Sequence, residues 1–352
     1  MHMMRALTVE PGVARSLRLE EFRVPSLERG SVLVRAIALG VCGTDREIIA
    51  AKFGSPPPNH KRLIIGHESL GMVLDAPHDS ELATGDLVVG IVREPDPVPC
   101  ASCAAGEWDM CRNGQYTEHG IKSLDGFGSE LYRLDPRYAV KLDAALNDLG
   151  VLVEPASVVA KAWEHIEHIG RRAVWMPPCV LITGAGPVGL LAAMFGVQRG
   201  LEVHVLDHAA DGPKPALVRD LGATYRVGPL DDLRRDFDIV IECTGAESIV
   251  RDVVSHTAPN GIICLLGVSD PGTATTIDMG TLNNTIVIGN RVLFGSVNAN
   301  RRHYEAAMRA LGQASHDWLR RLITRRVPLA NWSEAFEKQP HDVKTVIDFD
   351  SE

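Results

Sequence analysis

The spacing of apolar positions changes rhythm along the chain. Up to about residue 150, short apolar runs alternate with Gly- and Pro-rich turns, as in Val32–Ala38, Gly71–Leu74 and Asp86–Val92. Runs of that length between turn signals predict an irregular, β-rich domain. Near Glu154 the period lengthens. Val158, Val159, Ala162, Trp163 and Ile166 recur at helical spacing, which predicts an amphipathic helix over 156–168. A regular alternation follows: strand Cys179–Thr183, helix Val188–Arg199, strand Glu202–Leu206 and helix Ala216–Leu221. Strands Asp238–Glu242 and Gly261–Leu266 enclose a helix over Ser248–Ser255, and Arg291–Ser296 reads as the last strand. Strand and helix in turn predict an α/β fold with a doubly wound parallel sheet. From about His303 the pattern gives helices and a closing strand, Thr345–Phe349.

At 352 residues the chain exceeds what one core usually fills, so two domains are expected. Its 36 Lys and Arg against 45 Asp and Glu leave a net charge of -9, which argues against nucleic acid as a partner. The N-terminal residues lack the marks of a secretory signal, and no apolar run is long enough for a membrane span, so no membrane association and a cytoplasmic location are expected. Seven cysteines, three of them at metal-ligand spacing, read as thiols and metal sites rather than as disulfides.

Two segments carry candidate chemistry. Gly40-Val41-Cys42-Gly43-Thr44-Asp45 and Gly66-His67-Glu68 together offer a thiolate, a hydroxyl, an imidazole and carboxylates. Zinc accepts such ligands, and a catalytic zinc keeps one position open for water or substrate. The second segment is Gly184-Ala185-Gly186-Pro187-Val188-Gly189, after a strand and before a helix. Its first glycine permits the tight turn, its second lets the backbone approach a pyrophosphate, and its third lets helix and strand pack closely. Asp207 ends the next strand, where a carboxylate accepts from ribose hydroxyls and repels a 2′-phosphate. NAD is therefore favoured over NADP, with His208 softening the preference without reversing it.

These motifs, with Glu154-Pro155 and the cysteines from 100 to 111, resemble the zinc-dependent medium-chain alcohol dehydrogenase family over nearly the whole chain. Within it the chain looks most like the glucose dehydrogenases of archaeal type, through Ile91-Val92-Arg93, Gly106–Cys111, Gly120-Ile121, Asp125–Phe127, Gly150–Pro155 and Gly295–Asn298. The resemblance implies a GroES-like catalytic zinc domain over 1–155, a Rossmann domain over 156–294 and a return to the catalytic domain over 295–352. It implies Cys42, His67 and Glu154 as catalytic zinc ligands, with Glu68 as alternate ligand. By the same likeness Thr44 relays the proton and Asp45 orients His67. Thr44, Glu118, Glu154 and Asn298 are expected to meet the sugar. Cofactor contacts are expected from the glycine turn, Asp207 and His208, from Thr244 and Gly245, and from Leu266, Gly267 and Val268. Ser296, Val297 and Asn298 complete that set.

Cys100, Cys103 and Cys111 match three positions of the family's structural zinc lobe. The fourth is Pro97, which has no ligating side chain, so either Asp96 substitutes or the lobe holds zinc weakly or not at all. The implied reaction is hydride transfer from the anomeric carbon of an aldose to NAD, giving a lactone. The alternatives are a zinc dehydrogenase of another polyol or secondary alcohol, a zinc-free quinone or enone reductase, and a non-catalytic NAD-binding protein. The family's habit implies a homodimer or homotetramer.

Overall fold

The structure, a computed structural model, describes residues 3–233, 236–270, 272 and 275–349. The chain divides into two compact units, one formed by Met1–Ser157 with Asn298–Glu352 and the other by Val158–Val297. Both ends of the chain thus build one unit, and the middle builds the other.

In the first unit, among the described residues, a seven-stranded sheet is centred on Val32–Val41. That strand pairs antiparallel with Glu68–Asp75 on one side and with the closing strand Lys344–Asp348 on the other. Its burial alternates for the first half and then becomes continuous, so the strand runs from a half-solvated face into the core. The core packs Leu39, Ile48, Ile65, Phe127 and Ile347, all at 1% exposure or less. The closing strand starts one residue earlier than the apolar pattern predicts, at Lys344, which is itself 1% exposed.

The second unit is the doubly wound sheet. Among the described residues it has six parallel strands in the order Thr224–Val227, Glu202–Asp207, Cys179–Thr183, Phe237–Glu242, Thr257–Leu265 and Val292–Gly295. Cys179–Thr183 is buried at every position, as expected of a strand covered on both faces. The Thr224–Val227 strand is absent from the sequence-based reading because its residues alternate weakly and end in an exposed pair. The helix after the glycine turn spans Pro187–Gln198, opened by Pro187 at a position where a missing N–H costs nothing. The long helix Val153–Gly170 begins three residues ahead of the predicted 156, because Pro155 also fits its first turn. No helix among the described residues is long and apolar enough to cross a membrane.

Candidate active site

The Val32–Val41 strand ends at a tight entry into the Gly43–Ile49 helix, and Cys42 caps that helix. The cap fixes the thiol: the Cys42 backbone N–H donates to Asp45 Oδ2 at 2.8 Å. His67 and Glu68 stand where the partner strand begins. The ligand atoms of Cys42, His67 and Glu68 lie within 4.8 Å of one another, with His67 and Glu68 buried. That spacing and mix of sulfur, nitrogen and oxygen fits a zinc ion.

Asp45 is 1% exposed and puts Oδ1 3.3 Å from His67 Nδ1, which leaves Nε2 as the ring nitrogen open to a metal. Burial pulls the His67 pKa down, but the charge of Asp45, its hydrogen bond and Cys42 together hold it well above the ordinary value. Burial raises Asp45, and His67 with the Cys42 N–H outweighs it, so the carboxylate stays low. Lys344 donates to Val41 O at 3.1 Å and pairs with Glu68 Oε2. A Cβ at Gly40 would overlap that same Glu68 oxygen, so the glycine makes room for the pair. Glu154, in the first turn of its helix, stands beside the group of three rather than within it. Its burial, with Glu68 and Asp45 nearby, pushes its pKa up to about 7 against the pull of His67 and Lys344. Thr44 is partly exposed in the first turn of the capped helix.

Glu118 is 8% exposed and one-sided. Its Oε1 accepts from Arg93 Nε at 3.0 Å, from Arg93 Nη2 at 2.9 Å and from Asn298 Nδ2 at 2.8 Å. Arg93 also donates to Asp109 O at 3.0 Å and lies 3.7 Å above the Tyr116 ring. The structure thus joins Glu118 and Asn298: one Asn298 amide N–H goes to Glu118, and its Oδ1 accepts from the Ala299 N–H at 2.7 Å.

The cysteine lobe forms a second group of three, Cys100, Cys103 and Cys111, with sulfurs within 4.8 Å. Backbone N–H donors, Arg112 foremost, lower the Cys100 thiol to about 6, whereas burial raises Cys103 to about 11. Asp96 is buried, and its carboxylate accepts from the Val98 N–H at 2.8 Å and from the Asn113 amide.

In the other unit the expected cofactor residues share one edge. The Gly184–Gly189 turn, Asp207 and His208, Thr244 and Gly245, Leu266 to Val268, and Ser296 with Val297 all lie at or just beyond the carboxyl ends of parallel strands. That edge of a doubly wound sheet is where ligands bind. Gly184 has φ +89°, and a Cβ at Gly189 would overlap Gly184 O, so both need glycine. A Cβ at Gly186 would meet nothing within 4 Å, which leaves an open face of the kind a pyrophosphate requires. Sequence reasoning missed Glu242, a fully buried carboxylate that accepts from Thr244 N at 2.7 Å and Gly245 N at 3.1 Å. Its only signal was an acid closing an apolar strand. Lys344 and Lys214 were also missed, and Arg93 was named in the likeness without a role, because each lies in a run whose other residues explain it.

Comparison with known proteins gives the same picture. Residues 147–349 match the family model for the glucose dehydrogenase C-terminus, and residues 28–144 match the alcohol dehydrogenase GroES-like domain. The chain is 41% identical over 351 residues to glucose 1-dehydrogenase 1 of Caldivirga maquilingensis, covering 98% of this chain and 99% of that one. It is 40% identical over 350 residues to glucose 1-dehydrogenase of Thermoproteus tenax, with the same coverage. Among solved structures, Haloferax mediterranei glucose dehydrogenase in complex with NADP, Zn and gluconolactone superposes with a TM-score of 0.92 at 33% identity, covering 99% of this chain and 100% of that one. The chain belongs to the glucose dehydrogenases of the zinc-dependent medium-chain alcohol dehydrogenase family.

Proposed function

We propose that this protein oxidises an aldose at its anomeric carbon, passes the hydride to a nicotinamide dinucleotide and releases a lactone. The observation that carries this reading is the Cys42, His67 and Glu68 group, with ligand atoms within 4.8 Å, in a chain whose relatives are glucose 1-dehydrogenases. Zinc held by Cys42, His67 and one of the carboxylates Glu68 and Glu154 would supply a Lewis acid that acidifies the sugar hydroxyl. The chain's residues do the rest. Asp45 holds the His67 ring, Thr44 takes the proton toward water, and Lys344 holds Glu68 in place through their ion pair. Glu118 binds the sugar: Arg93 and Asn298 occupy Oε1, and Oε2 remains for a hydroxyl. A fixed carboxylate suits a polyol and would be left unpaired by an apolar alcohol, which is a strong basis for rejection.

The apolar residues at the sheet edge suit a homodimer or homotetramer. Ile288 is 75% exposed, Val287 60% and Leu293 43%, and Leu293 lies on the last strand of the sheet, whose outer side is unpaired among the described residues. The seven cysteines are all free thiols, which fits a cytoplasmic setting.

The test is a panel of aldoses and simple alcohols with the zinc-loaded enzyme and its Cys42→Ala variant. Lactone formation from an aldose, lost in the variant and on chelation, is the expected result. Turnover confined to simple alcohols would overturn the sugar assignment, and turnover indifferent to chelation would overturn the zinc assignment.

A further inference from the structure

Asp207 ends its strand as a buried carboxylate whose acceptor positions are already occupied. Oδ2 accepts from the Ala185 N–H at 2.6 Å and Oδ1 from the Ala209 N–H at 2.9 Å. Lys214 Nζ, from the first turn of the Pro213–Asp220 helix, lies 3.1 Å from Oδ1 and 3.0 Å from Oδ2. A carboxylate offers about four lone-pair positions, and these contacts fill them. The two backbone donors also tie Asp207 to the glycine turn and to its own loop, so the side chain has no rotamer to spare. The Tyr225 hydroxyl, donating to Ala209 O at 2.6 Å, braces that loop.

Two consequences follow for a nucleotide at this edge. The carboxylate cannot exclude a 2′-phosphate by charge alone, because a lysine at hydrogen-bond distance cancels its charge. Ribose hydroxyls, for their part, must compete with donors already in place. Lys214 carries three N–H groups, and the carboxylate takes two. The third, with the ammonium charge, is available to an anion beside Asp207. The His208 imidazole, 93% exposed and 3.7 Å from Asp207 Oδ1, adds a second nitrogen group at the same place.

We propose that Lys214 sets the cofactor choice of this chain: its pairing with Asp207 admits a ribose bearing a 2′-phosphate, which Lys214 itself binds, so that NADP is taken alongside NAD. This revises the preference for NAD drawn from Asp207 alone, and it rests on the dinucleotide reading of the Gly184–Gly189 turn.

The experiment is calorimetric titration of the full chain with adenosine 2′,5′-bisphosphate and with 5′-AMP, probes that differ only in the 2′-phosphate. The wild type should bind the bisphosphate at least as tightly as AMP, and added salt should weaken the bisphosphate more. Lys214→Ala should lose about tenfold or more in bisphosphate affinity, while AMP binding holds or improves. Lys214→Arg should keep both. If the alanine variant does not fold, Lys214→Gln, which retains a donor to Asp207 without the charge, carries the same expectation. A wild type that prefers AMP by about tenfold would overturn the proposal, as would a variant that weakens both probes alike. Binding of neither probe would bring down the dinucleotide reading as well. Normal probe binding without sugar turnover would bring down the sugar assignment and leave this one standing.

Discussion

Among the described residues, the first unit holds two groups of three ligand-type side chains, each with its donor atoms within 4.8 Å. They differ in what surrounds them. Cys42, His67 and Glu68 stand among charged side chains in the interior: Asp45, Glu154 and Lys344 are all buried within reach. Cys100, Cys103 and Cys111 stand mostly among backbone N–H groups and one amide, Asn113, whose Oδ1 is 3.0 Å from Cys111 Sγ. Ligand geometry alone does not separate a reacting site from a structural one. Buried charges that must be balanced against one another do, because a change of ligand or proton at one member is felt by all of them.

The largest effect is expected where that balance is cut. Lys344→Met keeps the length of the stem and removes the charge that faces Glu68, leaving a carboxylate alone in the interior. Breaking a buried pair from one side costs about 3–5 kcal/mol. Chemical denaturation of the metal-free variant should show a loss of that size. Zinc should recover more stability in the variant than in the wild type, because Glu68 is then free to ligate. Wild-type stability in the metal-free variant would show that the Lys344–Glu68 pair contributes nothing, and the contrast between the two groups would weaken.

Next is the orientation of His67. Asp45→Asn retains shape but not charge, and loss of such a supporting contact costs about 10–100-fold in metal affinity. Zinc competition against a chromophoric chelator measures it. Unchanged affinity would mean that the 3.3 Å contact to Nδ1 is packing only.

These predictions also mark what the sequence discloses. The ligand types in Cys42, His67 and Glu68, the glycine turn and the strand–helix alternation are all legible, because each is a local pattern. The Glu68–Lys344 pair is not. It joins residues from opposite ends of the chain, and only the pairing of Lys344–Asp348 with Val32–Val41 brings them together. The same holds for Arg93, Glu118 and Asn298, whose side chains meet only in the folded chain. Lys214 lies close to Asp207 in sequence, yet the predicted helix begins only at Ala216, whereas the observed one begins at Pro213. Only the helix that starts there turns the lysine back onto the carboxylate.

A smaller effect is expected at Glu118. Arg93→Met removes two donors from Oε1 and frees the carboxylate to turn. KM for the aldose should rise about tenfold, equivalent to one charged hydrogen bond, with kcat little changed. A deoxy sugar lacking the hydroxyl that meets Glu118 should show no such rise. An equal rise for both sugars would reduce Arg93 to a structural role.

The smallest effect on catalysis is expected in the cysteine lobe. Cys103 is buried, and its raised pKa keeps the thiol protonated at neutral pH when no metal is bound, so Cys103→Ser exchanges one neutral group for a smaller one. The expected loss of stability is about 1 kcal/mol, and kcat/KM should stay within about threefold. Zinc content should fall by no more than the lobe's own share, with the Cys42 group still loaded. The outcome that would break the comparison is a loss of kcat/KM beyond about tenfold. The structure shows the route such coupling would take. Asp109 lies between Cys103 and Cys111; its carbonyl accepts from Arg93 at 3.0 Å and its carboxylate from Asn300 at 2.9 Å. Arg93 in turn holds Glu118, so a lobe that shifts Asp109 would move the group proposed to meet the sugar. In that case the rise should fall on KM for aldoses and spare sugars without the contacted hydroxyl, the same signature as Arg93→Met.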